Sequence, residues 1–390
     1  MPIENHLVLL GKTLFSYAHI STKYTLLRTK RFRLFVGPSC NAHCEFCYYI
    51  CYLQRRNNPS TEFLKKELEW PRLMGALDVD FSGGEPTVRS DLPELIAYAK
   101  ALGYRKIAII TNGIVSGRTE SYLAKLADKG LNDVLVSIHG HDAQVHDSLV
   151  GVPGAFEKVI KTFKYARLTN IRLRTNTTVT TKNAKYMPEL ARLLTKFEPY
   201  AVNFILFNDW YSPATQMSLM PNFEHASHYL KKAIEAISES VPKVTIRYIP
   251  FCFMEGYEKH IANFPQTPYD PDEWAPEVQL LSPDFGVFAS HEKIPLMLKI
   301  KRSFIRGILT NRILTNRVKK IVDLYWLKVV QSVFFKPKEC EKCSLQLICD
   351  GIKKGYEKLY PKYKVYPQSG PLITDPMYFR GPYLMKIERL

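Results

Sequence analysis

The stretch Gly37-Pro38-Ser39-Cys40-Asn41-Ala42-His43-Cys44-Glu45-Phe46-Cys47 follows directly on the apolar, β-type run Phe32–Val36. Its cysteines are spaced Cys-x3-Cys-x2-Cys. Three thiols this close in sequence can converge on one metal centre, because the thiolate is a metal ligand. Structural zinc usually takes four Cys or His ligands, and Cys51 or His43 would supply the fourth. A ferredoxin-like electron-transfer cluster is a second reading. The bacterial ferredoxin run, however, opens C-x2-C and closes on Cys-Pro, whereas here the first gap is three residues and Tyr52 follows Cys51. Three thiolates on a [4Fe–4S] cluster would leave one iron open to a small molecule. That arrangement favours chemistry over plain electron storage.

Outward from this stretch, short apolar runs alternate with amphipathic ones. The β-type runs are Phe32–Val36, Asp78–Phe81, Lys106–Ile110, Asp133–Ile138, Ile171–Val179 and Ala201–Phe207. Between them lie helical patterns such as Asp91–Ala101, Glu120–Ala127, Ala155–Ala166 and Ala184–Leu194. Ser90 is placed to cap the first of these, and Gly103 to stop it. Strands alternating with helices of this length predict an α/β fold of parallel βαβ units. Six strands make a sheet or an incomplete barrel, with functional loops at the C-terminal strand ends.

Those strand ends carry further motifs. Phe81-Ser82-Gly83-Gly84-Glu85-Pro86 ends the second strand, and Thr111-Asn112-Gly113 the third. Ser137-Ile138-His139-Gly140 ends the fourth, and His146-Asp147 precedes a loop from Gly151 to Phe156. Arg174 and Asn176 alternate to one face of the fifth strand. Glycines allow close backbone approach, and the Glu85 carboxylate suits an ammonium group.

In this order, over about residues 30–210, the motifs resemble those of the radical S-adenosylmethionine (SAM) superfamily. The resemblance implies a partial (β/α)6 TIM-like barrel. It implies that Cys40, Cys44 and Cys47 hold a [4Fe–4S] cluster, with Phe46 in the aromatic place of the motif. Gly83, Gly84, Glu85 and Pro86 match the GGE(P) motif that holds the methionine amino group of SAM. Asn112, Ser137 and Asn176 correspond to positions lining the SAM site. His139 stands where relatives carry an acid, which puts the role of that position in question.

A second set, Cys340, Cys343 and Cys349, is spaced Cys-x2-Cys-x5-Cys. It resembles the core of SPASM and twitch extensions, which carry auxiliary iron–sulfur clusters. Lys353 stands where a full SPASM has its next cysteine, and no cysteine follows. One auxiliary [4Fe–4S] cluster is therefore implied, with Cys252 as its fourth ligand. The other reading of Cys252, in the apolar run Ile249-Pro-Phe-Cys-Phe-Met, is a buried free thiol. Cys51 reads as a buried thiol at the start of the first helix.

The chain has 390 residues and a net charge of +17. Its composition is that of a folded protein rather than a disordered one. It has neither a membrane-spanning apolar stretch nor a signal peptide, which predicts a cytoplasmic protein. The organisation expected is a basic arm at 1–30, a barrel at 31–240, and an extension at 241–355. A Tyr/Pro/Lys-rich tail at 356–390 follows. The barrel is nearly neutral. Residues 297–336 carry ten Lys/Arg against one Asp and read as a basic amphipathic helical segment. The repeated Ile-Leu-Thr-Asn-Arg at 308–317 is too short for a repeat architecture. Such a segment suits an anionic membrane surface, which would make the protein peripheral to the membrane, or RNA; a solvated bundle face is equally open.

The resemblance implies an enzyme that cleaves SAM reductively to a 5′-deoxyadenosyl radical and takes hydrogen from a substrate. An electron donor such as ferredoxin or flavodoxin would be its partner. A peptide or protein is the favoured substrate, with a membrane lipid or tRNA as the alternative. A non-catalytic iron–sulfur electron-transfer or zinc-binding protein is the reading from another class.

Overall fold

The computed structural model describes residues 22–47, 57–208, 214–279 and 333–388. The first 21 residues, Cys51 and nearly all of the basic segment 297–336, with its pentapeptide repeat, lie outside the described residues. Seven parallel strands follow one another in chain order across one sheet. They are β1 (Arg31–Phe35), β2 (Asp78–Ser82), β3 (Lys106–Thr111), β4 (Asp133–Ser137), β5 (Arg172–Val179), β6 (Ala201–Leu206) and β7 (Lys243–Arg247). Helices α1 (Thr61–Leu73), α2 (Leu92–Ala101), α3 (Glu120–Lys129), α4 (Ala143–Val150), α5 (Ala155–Leu168), α6 (Met187–Thr195) and α7 (Phe223–Ile237) make the connections. Together they form the curled half-barrel of an α/β partial TIM-like fold. A small antiparallel pair, β8 (Phe334–Phe335) with β9 (Ile352–Lys353), belongs to the C-terminal part. Among the described residues, no helix is long and apolar enough to cross a membrane.

The strands alternate, but in an inverted sense for a filled barrel. Outward positions such as Phe32, Val79, Phe81, Ile109, Val134, Phe204 and Val244 are apolar and fully buried under the helices. Inward positions at the N-terminal ends are charged: Arg31, Asp78, Asp80, Asp133, Arg172, Arg174 and Lys243. These groups pair with one another. The Arg31 guanidinium reaches Asp80 at 2.5 Å. Arg174 Nε donates to Asp133 Oδ1 at 2.8 Å, and Arg172 also pairs with Asp133.

Six strands are expected from the apolar runs, and the seventh is not. β7 reads Lys-Val-Thr-Ile-Arg, the pattern of a solvated surface strand. Its Lys243 and Arg247 turn into the barrel instead, where Asp270, Asp272 and Glu273 receive them. The sheet therefore runs past the boundary expected at 240. The first amphipathic helix also differs at its start: Asp91 occupies the cap position, without a side-chain capping bond, rather than Ser90. Gly103 does end that helix, with φ +82°.

The open seam of the half-barrel lies between β1 and β7, and segment 261–275 bridges it. Ile261 pairs with Ile246 on β7, and Trp274 pairs with Arg31 on β1, both in parallel register. The same segment carries Asp270 and Asp272, which neutralise Lys243, Arg172 and Arg31. The tail packs here too. Helix α8 (Arg380–Ile387) inserts Arg380 against Asp270 at 2.6 Å and Thr245 at 2.8 Å. Tyr383 Oη accepts the Val244 N–H on the exposed edge of β7 at 2.8 Å.

Removing one member of this network strands its partner in a buried site. Arg174→Met is expected to destabilise the protein by about 3–5 kcal/mol, read from denaturant midpoints. Burial alone would raise the Asp270 carboxyl, but Lys243 and Arg380 beside it outweigh burial and hold it at about 2. A depressed carboxylate stabilises the fold above its unfolded value of about 4. Stability should therefore fall as pH drops from about 4 through about 2. A pH series of unfolding midpoints checks this, and Asp270→Asn should flatten that acid limb.

Candidate active site and second cysteine site

The loop after β1 rests on the loop after β2. Gly84 N–H donates to Gly37 O and Glu85 N–H to Ser39 O, both at 2.8 Å. A Cβ on Gly84 would lie 2.3 Å from the Pro38 and Ser39 carbonyl oxygens, and one on Gly83 2.5 Å from Gly37 O. The two glycines are thus needed for the docking of one loop on the other. The far half of the cysteine loop is held by α4: His43 N–H donates to Val150 O at 2.9 Å and Glu45 N–H to Leu149 O at 3.2 Å. Cys47 N–H donates to Cys44 O at 3.1 Å, a turn that sets these two cysteines together.

Cys40, Cys44 and Cys47 line one cavity of about 340 Å³ with Phe46, Gly83, Gly84, Glu85, Asn112, Ser137 and Asn176. Of the expected site residues for this cavity, only Pro86 is not on its wall; it opens the short turn Pro86–Val88 that Glu85 caps. Glu85 is buried and accepts from Thr87 N–H (3.1 Å), Thr87 Oγ1 (2.5 Å), Thr111 Oγ1 (2.7 Å) and Asn112 N–H (2.7 Å). Burial raises its carboxyl, and these donors work against that rise. Asn112 links two loops, donating to Asn41 Oδ1 at 2.8 Å and approaching Cys40 Sγ at 3.9 Å. Ser137 and Asn176 face each other in register across β4 and β5.

Phe46 packs edge-on to the His139 ring, with centroids 4.5 Å apart. His139 Nδ1 accepts from Thr178 N–H at 3.1 Å, and burial, then His146, holds the ring well below its ordinary pKa. His139 is therefore a neutral ring with its proton on Nε2, at the position where an acid is usual. Such a ring can donate a hydrogen bond to the cavity it lines but brings no charge to it.

The thiols are poor acids as they stand. Burial, followed by neighbouring Cys47 and Cys40, pushes Cys44 up to about 12. Burial also raises Cys40. Thiols such as Cys40 and Cys44 that resist ionising alone are suited to a cationic centre, which offsets the burial and repulsion of the thiolates. Among the described residues, no three His, Cys, Asp or Glu side chains are drawn together closely enough to hold a single metal ion. Neither cysteine set is arranged around one ion.

Cys252, Cys340, Cys343 and Cys349 share a second, smaller pocket. Cys252 follows β7 by only a few residues in the short turn Phe251–Phe253; Cys340 lies in the turn Lys338–Lys342, Cys343 follows it directly, and Cys349 N–H closes a turn onto Leu345 O at 3.1 Å. Burial pushes Cys252 up to about 12, with Cys349, Cys340 and Cys343 adding to the effect. Burial likewise pushes Cys340 up to about 11. Gly351 N–H donates to Cys349 Sγ at 3.4 Å.

The sequence reading does not anticipate a hydrogen-bonded link from the barrel cavity toward the second site. Tyr248 and Phe264 line the barrel cavity, with ring centroids 5.4 Å apart. Behind them, Phe264 N–H donates to Asp350 Oδ2 at 3.2 Å, and Asp350 adjoins Cys349. Tyr248 has φ +66°, a strained conformation for a bulky residue. Asn263 holds it there, accepting from Tyr248 N–H and donating to Ile249 O, both at 2.8 Å. The inward charges of β1 and β7 are likewise unanticipated: Arg33 stacks over Trp274 at 4.4 Å, and Arg247 pairs with Glu273 at 2.8 Å. Gly84→Ala should displace the cysteine loop without unfolding the barrel. Circular dichroism near the wild-type spectrum, with about four fewer iron per reconstituted chain, is the expected result.

Residues 34–194 match the radical SAM superfamily. The chain is 30% identical over 159 residues to an AdoMet-dependent heme synthase of Oleidesulfovibrio alaskensis, covering 40% of each protein. It is 32% identical over 155 residues to a PqqA peptide cyclase of Rhodopseudomonas palustris, again covering 40% of each. The chain thus spans less than half the length of either relative. The crystal structure of SuiB from Streptococcus suis shares the fold, with a TM-score of 0.51 at 15% identity, over 89% of this chain and 77% of that one. The half-barrel, its cysteine loop after the first strand and the matched residues agree: this chain carries a radical SAM domain.

Proposed function

We propose that this protein is a radical SAM enzyme acting on a peptide or protein, with a second iron–sulfur cluster beside the barrel. The observation that carries the reading is the meeting of Cys40, Cys44 and Cys47 with buried Glu85 in one cavity. A [4Fe–4S] cluster held there by Cys40, Cys44 and Cys47 would, with SAM, supply reductive SAM cleavage and radical hydrogen abstraction. The chain's own residues hold and orient. Cys40, Cys44 and Cys47 would ligate three irons. Glu85, fixed by four donors, presents a carboxylate to the amino group of SAM. Asn112, Ser137, Asn176 and neutral His139 offer hydrogen-bonding groups along the same wall.

Cys252, Cys340, Cys343 and Cys349 would hold the second cluster with four thiolates. A site so closed suits electron transfer or structure rather than substrate ligation. The peptide substrate is favoured by this four-cysteine extension and by a relative named for a peptide. The heme-synthase relative marks small molecules as the competing class. An electron donor such as ferredoxin or flavodoxin would feed the first cluster.

Anaerobically reconstituted, reduced protein should convert SAM to deoxyadenosine, and Cys44→Ala should abolish that conversion. Iron should be about eight per chain and drop to about four in the variant. Deoxyadenosine absent from wild-type protein that holds its full iron would leave an electron-transfer protein instead. In Cys252→Ala, deoxyadenosine formation should persist while the second cluster's spectrum changes or is lost.

A further inference from the structure

Two guanidiniums line the barrel cavity beside its seam. Arg33 lies on β1 and Arg247 at the end of β7, and Tyr248, Glu273 and Trp274 complete this wall. Each guanidinium lies over an aromatic ring, Arg33 over Trp274 at 4.4 Å and Arg247 over Tyr248 at 5.1 Å. The rings are themselves fixed. Trp274 Nε1 donates to Asp80 Oδ2 at 2.8 Å, and Asn263 holds the Tyr248 backbone. Stacking engages the face of a guanidinium and not its N–H edge, so the rings orient the two forks without occupying them. Glu273, next to Trp274 in the bridge, pairs with Arg247 at 2.8 Å. The acids of the floor below are engaged with other cations: Asp80 with Arg31 and Arg174, Asp270 with Lys243 and Arg380, and Asp272 with Lys243 and Arg172.

We propose that Arg33 and Arg247 form a subsite for a carboxylate of the substrate, met by two oriented guanidinium forks on the seam wall of the barrel. The inference rests on the reading of this cavity as the site of a peptide-modifying radical SAM enzyme, and names a chemical feature of that peptide. The residues assigned to SAM come from the loops after β1, β2 and β3 and from β4 and β5, so the seam wall contributes none of them. A guanidinium meets a carboxylate through two parallel N–H···O bonds, a geometry that an ammonium does not supply. A neutral amide in the same place forgoes these charge-assisted bonds. In a peptide the carboxylate belongs to an Asp or Glu side chain or to the C-terminus, and both present the same two oxygens.

Reconstituted protein with SAM should be titrated calorimetrically with three N-acetylated pentapeptides: an amidated one with a central Glu, its Gln counterpart, and the Gln peptide with a free C-terminal carboxylate. A peptide that carries a carboxylate should bind at least about tenfold more tightly than the amidated Gln peptide. Tight binding of the Glu peptide marks a side-chain carboxylate, and tight binding of the free acid a terminal one. Arg33→Gln should remove most of the preference, and Arg33→Lys, which keeps the charge but not the fork, should retain only part of it. Circular dichroism and iron content near wild type show that a variant has kept its fold. If Arg33→Gln loses its fold, Arg33→Lys and Arg247→Lys carry the same test. Equal binding of the three peptides to wild-type protein, or binding of none, would overturn the subsite, as would an undiminished preference in the folded variants. Wild-type protein that shows the preference yet makes no deoxyadenosine would instead overturn the catalytic reading and leave the subsite standing.

Discussion

Arg31 lies completely buried at the floor of the barrel, within ion-pairing reach of Asp78, Asp80, Asp133 and Asp272. A guanidinium taken out of water is tolerated only when its charge and its donors are answered. The answer comes from the sheet and from the segment that closes it. Asp78, Asp80 and Asp133 belong to β2 and β4, whereas Asp272 belongs to the bridge between the two free edges. The same logic places Arg174, Lys243 and Arg380. The network thereby ties first strand, last strand, bridge and tail into one floor. It also leaves the interior polar above that floor, where a barrel packed with branched apolar side chains would have no room for a substrate.

Chemistry then collects at the other end of the strands. The cysteine loop is shaped by two contacts that carry no chemistry, the glycine pair of the β2 loop below it and the end of α4 beside it. Glu85 is held so firmly by its neighbours that it serves as part of the wall. The second cysteine site stands behind Tyr248 and Phe264, reached from β7 through Ile249 to Cys252. The strand missed in the sequence is therefore the one that joins the two sites.

Much of this was legible because it is local. Six strands show in the apolar runs that pack under the helices, and the cysteine loop and Gly-Gly-Glu-Pro show in their spacing. Cys252 was legible as an odd cysteine in search of partners. β7 was hidden because its inward face is cationic, and only Asp270, Asp272 and Glu273, some 30 residues on, make that face a buried one. The bridge at 261–275 looked irregular because its order comes from charges on other elements. Tyr248 was invisible for another reason: its strain is a backbone property, set by an asparagine carboxamide 15 residues away. The tail offered nothing because its order comes from distant partners, such as Met220 O for the Tyr360 hydroxyl and Asp270 for Arg380.

The closure of the floor has a consequence for how the chain is made. Arg31 and Asp272 are 241 residues apart in sequence. At synthesis rates of about 5–20 residues per second, the bridge emerges roughly 12–50 s after β1. Asp78, Asp80 and Asp133 arrive earlier, so a half-sheet can assemble with a partial floor. The seam itself stays open until residues 261–275 are free to enter it. During that interval the polar interior is wetted and both sheet edges are unpaired. The nascent barrel thus passes through a stage in which its two sheet edges are open while the groups that will form its floor are ionic.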